Sequence, residues 1–513
     1  MLRVTLLSLL TLSLVHAQNW PQASGPDANW NLRDVEDPPK SWSVVGKENI
    51  LWKTTLPEGG QSAVTIWKDR AFLTTHRPMK KGAPLTESNI IGWCLDANSG
   101  EILWKVELPG TDPVQTAGIF SDSTVFAPVT DGEHVWFFNR CGSMACFDFS
   151  GKEIWMRKYE PRRRHTNRQC EPILHGDIIL TVEVKNKAAG QKLERHKPVP
   201  EGIDERDVWT YLHAIDKKSG EVKWINDAGT SVHNTPMIGK LSDGRTAVVH
   251  GRGGGHGPLE KPYGITMTLV DTGETLWTYE TGKGGDCYFN SHWNSGHVYW
   301  FHKQNHLVID ANTGKLLKEQ DTMKSASFCQ FNTDTETWTT ETDVPVKAGK
   351  KQPITNQTNI VVGDWHYFLA HDLIAIGRVN IESGKTEYLQ VPVQIDASSE
   401  NRLIWKKQES IPNDTKNSRG LDIATDKRAK GTGWGHVSAA SPVAINDILY
   451  IPVMNGTVYL IDAKAEKFDE KALLSVNDLG PAGETWNLSS FSFSDGRLFI
   501  HTMKEALCIG IPR

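Results

Sequence analysis

The sequence predicts an all-β fold: an eight-bladed β-propeller of four-stranded antiparallel blades, closed by pairing of an N-terminal strand with the C-terminal blade. Three observations predict it. A hairpin pattern recurs along the chain, a separate series of turn signals occurs eight times, and an unpaired strand at the start matches a strand missing at the end.

The hairpin pattern is carried by CLDANSGEILW from Cys94, CFDFSGKEIW from Cys146, AIDKKSGEVKW from Ala214, LVDTGETLW from Leu269 and VIDANTGKLL from Val308. An apolar strand ends in Asp, a tight turn ends in Gly, and a second strand begins with Glu or Lys. Gly100, Gly151, Gly220 and Gly273 are each followed four residues later by Trp104, Trp155, Trp224 and Trp277, so the register is constant. Gly314 and Gly384 keep the turn but place Lys318 and Tyr388 in the Trp slot, and Leu460-Ile461-Asp462 opens a degenerate seventh copy. In physical terms the Asp side chain caps the turn, the Gly takes positive φ, and the Trp covers the seam between neighbouring sheets.

The second series is a turn followed at once by a β-rich run, at Lys68–Arg70, Asp131–Gly132, Gly176–Asp177, Asp243–Gly244, Ser295–Gly296, Gly363–Asp364, Asn446–Asp447 and Asp495–Gly496. These turns join the first two strands of a blade; the Asp-to-Gly turns join the last two. The final strand, Ala506–Ile511, has no partner after it, whereas Ile50–Leu56, with Trp52 in the usual place, has none before it. Pairing the two removes a free edge and makes the count eight.

On these motifs the chain resembles the pyrroloquinoline-quinone (PQQ) repeat propellers, which include quinoprotein alcohol dehydrogenases and a non-enzymatic propeller of outer-membrane protein assembly. The opening NWPQASGPDANW, the strand ILWKTTLP and the strand RAFLTTH are also similar to exported PQQ-like propellers. The resemblance runs from about Asn19 to Arg513 and is specific for the fold, not for the cofactor.

Residues 1–17 read as a secretory signal peptide: Arg3, an apolar run Val4–Val15, then Ala17 before a cleavage point at Gln18. A periplasmic or secreted protein is therefore expected, with residues 18–49 as an N-terminal strap and 50–513 as the propeller. The apolar run is too short to span a bilayer and has no equal later, so no membrane span is expected. A net charge of -5 and a pI of 6.4 give no field for a phosphate backbone, which argues against nucleic acid. A monomer is expected. Of the seven cysteines, Cys94, Cys146 and Cys508 share one repeat slot and read as packing groups, while Cys141 and Cys146 are the pair that could bridge a hairpin.

Three polar stretches, Lys185–Asp207, Asn332–Pro353 and Asp396–Lys430, break the rhythm and read as loops. The loops that enter each blade converge on the mouth of the central channel. They supply Arg164, His165 and Arg168, then His233 and Asn234, then Tyr288, Asn290 and His292, then Asn356 and Gln357, then Trp434 and His436, then Trp486 and Asn487. Guanidiniums, imidazoles, amides and indoles of this kind suit an anionic or sugar-like ligand. His165, His233, His292 and His436 could instead hold a divalent metal. His134, His175, His297 and His366 lie near the opposite turns and read as structural; His302 and His306 straddle a hairpin tip. The glycine-rich GRGGGHGP from Gly251 lacks the strand-to-helix setting of a phosphate loop.

The leading functional expectation is a non-redox scaffold that binds a small molecule, glycan or protein partner at the channel mouth. The resemblance implies an alternative, a PQQ-dependent dehydrogenase with Ca²⁺, in which Trp434 or Trp486 would stack the quinone and Arg164 or Arg168 would pair its carboxylates. Against it, the chain has no adjacent cysteine pair. A third reading is a metal-assisted lyase or hydrolase acting on an anionic saccharide.

Overall fold

Short apolar-rich runs cut by Asp/Gly turns dictate antiparallel hairpins, and the computed structural model is built from them. It describes residues 18–78, 88–111, 124–161, 170–185, 199, 201–231, 234–253, 260–282, 289–294, 296–347, 354–400, 402–416, 434 and 440–512.

Sheet 1 runs Thr65–Trp67, Arg70–His76, Ile90–Asp96, Ile102–Leu108, and sheet 2 Val129–Thr130, His134–Asn139, Ser143–Asp148, Glu153–Lys158. Sheet 3 is Ile173–His175, Ile178–Val184, Thr210–Asp216, Val222–Ile225, and sheet 4 Met237–Lys240, Thr246–Arg252, Gly264–Leu269, Thr275–Glu280. Sheet 5 is His292–Asn294, His297–His302, Asn305–Asp310, Leu316–Asp321; sheet 6 is built on Ile354–Val362, Trp365–Ala370, Ala375–Asn380, Thr386–Gln390. Sheet 7 is built on Val443–Ile445, Ile448–Pro452, Thr457–Asp462, Leu473–Asp478. The last sheet joins Ser492–Ser494, Arg497–His501 and Glu505–Ile509 to Ile50–Thr55, which pairs antiparallel with Glu505–Ile509.

The chain is thus an all-β propeller of four-stranded antiparallel blades, with two corrections to the expected pattern. The structure has seven blades rather than the expected eight, each made from one continuous stretch of chain; the expected pairing of the two ends is present as a further composite sheet, and no single sheet closes on itself. Nor are all the sheets four-stranded. Sheet 7 gains Asn31–Leu32 as a parallel fifth strand, and sheet 6 gains the hairpin Ala326–Asn332/Thr337–Val344, with Ser327–Cys329 lying parallel to Glu387–Leu389. Part of that hairpin falls in a stretch expected to be loop. Its strand TWTTETDV is rich in threonine but wet on both faces, so it has β-propensity without the apolar alternation that marks a strand.

The first strands of neighbouring sheets lie side by side, sheet 1 against sheet 2 and the last sheet, sheet 2 against sheet 3, and sheet 5 against sheets 4 and 6. The seams carry the repeat tryptophans. Trp52, Trp104, Trp155, Trp224 and Trp277 each donate Nε1–H to a backbone carbonyl of the next sheet's turn, Ala97, Phe149, Lys217, Val270 and Ala311, at 2.9 to 3.1 Å. Gly100 shows why that turn needs glycine: its φ is +74°, and a Cβ there would sit 2.6 Å from the Trp52 ring. Where Lys318 replaces Trp, its ammonium bonds the Glu382 carbonyl. Between sheets 6 and 7 the buried Arg378 takes over. It stacks on Trp365 (3.9 Å) and Phe468 (4.6 Å), bonds the Ala465 carbonyl (2.7 Å) and pairs with Glu387.

The six described cysteines are all buried. Cys141 and Cys146 do not bridge each other, because Cys141 lies in the turn while Cys146 faces Trp136 and Trp155 across its strand. Burial pushes the thiols of Cys94, Cys146 and Cys508 up to about 12. No helix among the described residues is long and apolar enough to cross a membrane.

Candidate functional site

The residues from Gln18 to Leu32 run through the middle of the ring. Trp20 exchanges two backbone hydrogen bonds with Ile66 of sheet 1, at 2.9 Å each. Pro21 accepts from Thr130 of sheet 2, and Gln22 accepts from Leu174 of sheet 3. Trp30 meets His292 of sheet 5 edge-on at 6.4 Å, and the Trp30 and Leu32 carbonyls accept from Ala444 and Asn446 of sheet 7. Gln18 is held by Ser494 of the last sheet. A segment that hydrogen-bonds the first strands of five sheets of a propeller and meets a sixth through a ring contact has to cross the opening between them. Trp20 and Trp30 are completely buried there, so the centre is packed with indole rather than left as a channel.

At the mouth, Arg164, His165, Arg168, His233, Tyr288 and His436 lie outside the described residues, as does His256. The side chains of Asn356 and Gln357 also lie outside those described, while Asn234, Asn290, His292, Trp434, Trp486 and Asn487 are buried. Asn290 accepts from the Thr235 amide (2.9 Å) and donates to Ser441 (3.1 Å), reaching from the entry of sheet 5 to that of sheet 7. Asn234 donates to the Phe289 carbonyl at 3.4 Å. The amide of Ala127 bonds the Glu171 carboxylate, and the Glu171 amide bonds the Thr235 hydroxyl. These contacts stitch the entry loops of sheets 2, 3, 4, 5 and 7 into one girdle. Thr235, Glu171 and Ser441 were missed in the sequence because nothing in their local pattern marks them.

Of the four candidate metal ligands, His292 alone lies among the described residues. Its Nε2 bonds the Asn359 carbonyl (2.9 Å), and its ring lies 5.3 Å from that of His366. His366 bonds the Asn359 side-chain oxygen through Nε2 and His306 through Nδ1, both at 3.0 Å. The amide oxygen can only accept, so His366 carries its proton on Nε2, and His306 donates from its own Nε2 to the bare Nδ1. The three imidazoles form a buried relay between sheets 5 and 6. Burial holds His292 down at about 4 and His306 at about 3, and puts His366 well below the usual histidine range. His306 stacks on Tyr299 and His302 on Trp300, on opposite faces of the strand. His250 is likewise buried, between the hydroxyls of Thr230 and Thr268. Among the described residues no group of three or more His, Cys, Asp or Glu could hold a metal ion.

The two candidate indoles also differ from expectation. Trp434 donates to the Val393 carbonyl (2.9 Å) and packs on Tyr459. Trp486 is buried to 1% exposure, and its Nε1 has no partner among the described residues. Neither ring is more than a few per cent exposed. Trp486 lines a cleft of about 490 Å³ where sheet 7 meets the last sheet. Lys53, Lys416 and Lys504 line it together with Asp414, Glu484 and Glu505, and the strap contributes Val44. The lysines come from segments far apart in sequence, which is why no local motif announced them.

Comparison with known proteins bears on the fold. Residues 46–201 match the profile of a family, PQQ_2, described as outer membrane protein assembly factor BamB. A quinohemoprotein alcohol dehydrogenase from Comamonas testosteroni superposes with a TM-score of 0.53 at 11% identity, covering 96% of this chain and 81% of that one. A europium-containing methanol dehydrogenase gives 0.51 at 12% identity, covering 96% and 98%. The fold is a β-propeller similar to those of these two dehydrogenases. BamB from Moraxella catarrhalis covers 90% of this chain and 99% of its own length, at 12% identity and a TM-score of 0.46. No curated protein sequence matches the chain.

Proposed function

We propose that this propeller is an exported, periplasmic or secreted, non-redox scaffold of the PQQ-repeat type that closes as one ring of eight sheets and binds a protein or glycan partner on its rim. One observation carries the reading: the centre, where a ring-bound cofactor would sit, is filled by the strap, while the open polar cleft beside Trp486 lies at a sheet seam. The match to a family described as an assembly factor supports a protein partner. The cleft supports a polar, hydrogen-bonding ligand, since three ammoniums and three carboxylates line it.

The test is a titration of the purified protein with PQQ and Ca²⁺ alongside glycan and peptide arrays. The scaffold reading expects no saturable quinone band, and array binding that weakens in Lys504→Glu. A quinone absorbance saturating at one per chain would overturn it.

A further inference from the structure

We propose that the hairpin Ala326–Val344 is a docking edge for an extended, basic segment of a partner protein, which adds itself as a further strand to sheet 6. Strand Thr337–Val344 ends the six-stranded sheet, so no described strand pairs with its outer edge. It is exposed along most of its length. The chain itself shows that this rim accepts added strands: Ser327–Cys329 joins the outer strand of sheet 6 in parallel, extending the blade from four strands to six.

Charge selects the occupant. The hairpin carries Asp334, Glu336, Glu341 and Asp343 and no basic residue within Ala326–Val344. Lys406 reaches only Asp334, at 3.6 Å. The outer strands of sheets 1, 2, 3 and 5 each carry Lys or Arg. Lysine or arginine on an incoming strand would meet Glu341 and, at the bulge beside it, Asp343, whereas a second copy of this chain would bring like carboxylates together. On the opposite face, Trp338 packs with Phe331 (5.2 Å) and with Trp405 (5.4 Å), an aromatic cluster built from two separate insertions. It would receive the apolar residues that alternate with the basic ones.

This goes beyond the cleft reading and uses a separate surface, so either can fail alone. The probe is a labelled peptide of about ten residues alternating lysine with valine, followed by fluorescence anisotropy. The expected result is saturable binding that falls at least about tenfold in Glu341→Lys/Asp343→Lys. Binding should persist in Glu280→Lys on the outer strand of sheet 4 and vanish when alternate backbone nitrogens of the peptide are methylated. Circular dichroism checks that each variant is folded. Equal binding by the methylated peptide, equal binding by the double variant, or no binding to the wild type would each overturn the proposal.

Discussion

Three imidazoles buried between sheets 5 and 6 set how the protein meets acid. His292, His306 and His366 are held neutral by burial, with folded values near 4, near 3 and well below the usual range. The unfolded chain binds their protons from about pH 6.5 downward, so its share of bound protons exceeds that of the native state. Stability from these groups is complete above pH 6.5 and declines as the pH falls toward 4. Urea midpoints measured across that interval should drop steadily. In His366→Phe the midpoint at pH 7.5 should be lower, by about 1–3 kcal/mol in stability, because His306 and Asn359 lose their partner; the acid slope should be shallower. Arg378 poses the matching problem in cationic form. Glu387→Gln leaves that guanidinium fully buried without its carboxylate, and a loss of about 3–5 kcal/mol in denaturant titrations is expected.

At the scale of the element, the repeated hairpin is a docking device as much as a turn. Each seam tryptophan covers the next sheet's turn glycine and donates one hydrogen bond to another carbonyl of that turn. Trp224→Ala removes both, and an unfolding free energy lower by about 3 kcal/mol is expected. Lys318→Trp, at a seam where a lysine stands in, should stabilise or be neutral, as judged by the melting temperature. This grammar was legible in the sequence because the turn needs a side-chain oxygen, from Asp or in one case Asn380, and Gly for its φ. The Asp310 side chain, for instance, accepts from the Asn312 and Thr313 amides. The added hairpin was not legible, since threonines wet on both sides write no period. The mouth was half legible: loop entry points could be placed, but whether Asn290 served a ligand or Ser441 depended on distances across the ring, which sequence order does not encode.

For the whole molecule, the strap decides what the centre is. A chain lacking residues 18–32 would uncover the inner edges of six sheets and lose Trp20 and Trp30 from the core. Hydrogen exchange should then accelerate first in Thr65–Trp67 and Val443–Ile445, which the strap bonds directly. An unchanged exchange pattern would mean that the strap is ornamental.

The composite sheet also imposes a schedule. Strand Ile50–Thr55 is made early, yet its partner Glu505–Ile509 emerges from the ribosome some four hundred and fifty positions later. Until then a ragged edge waits, with Trp52 lacking the sheet that orders it. A chain cut short before those final strands would retain most of its sheets and still present an open gap. Any protease patrolling the compartment could read that gap as the mark of an unfinished product.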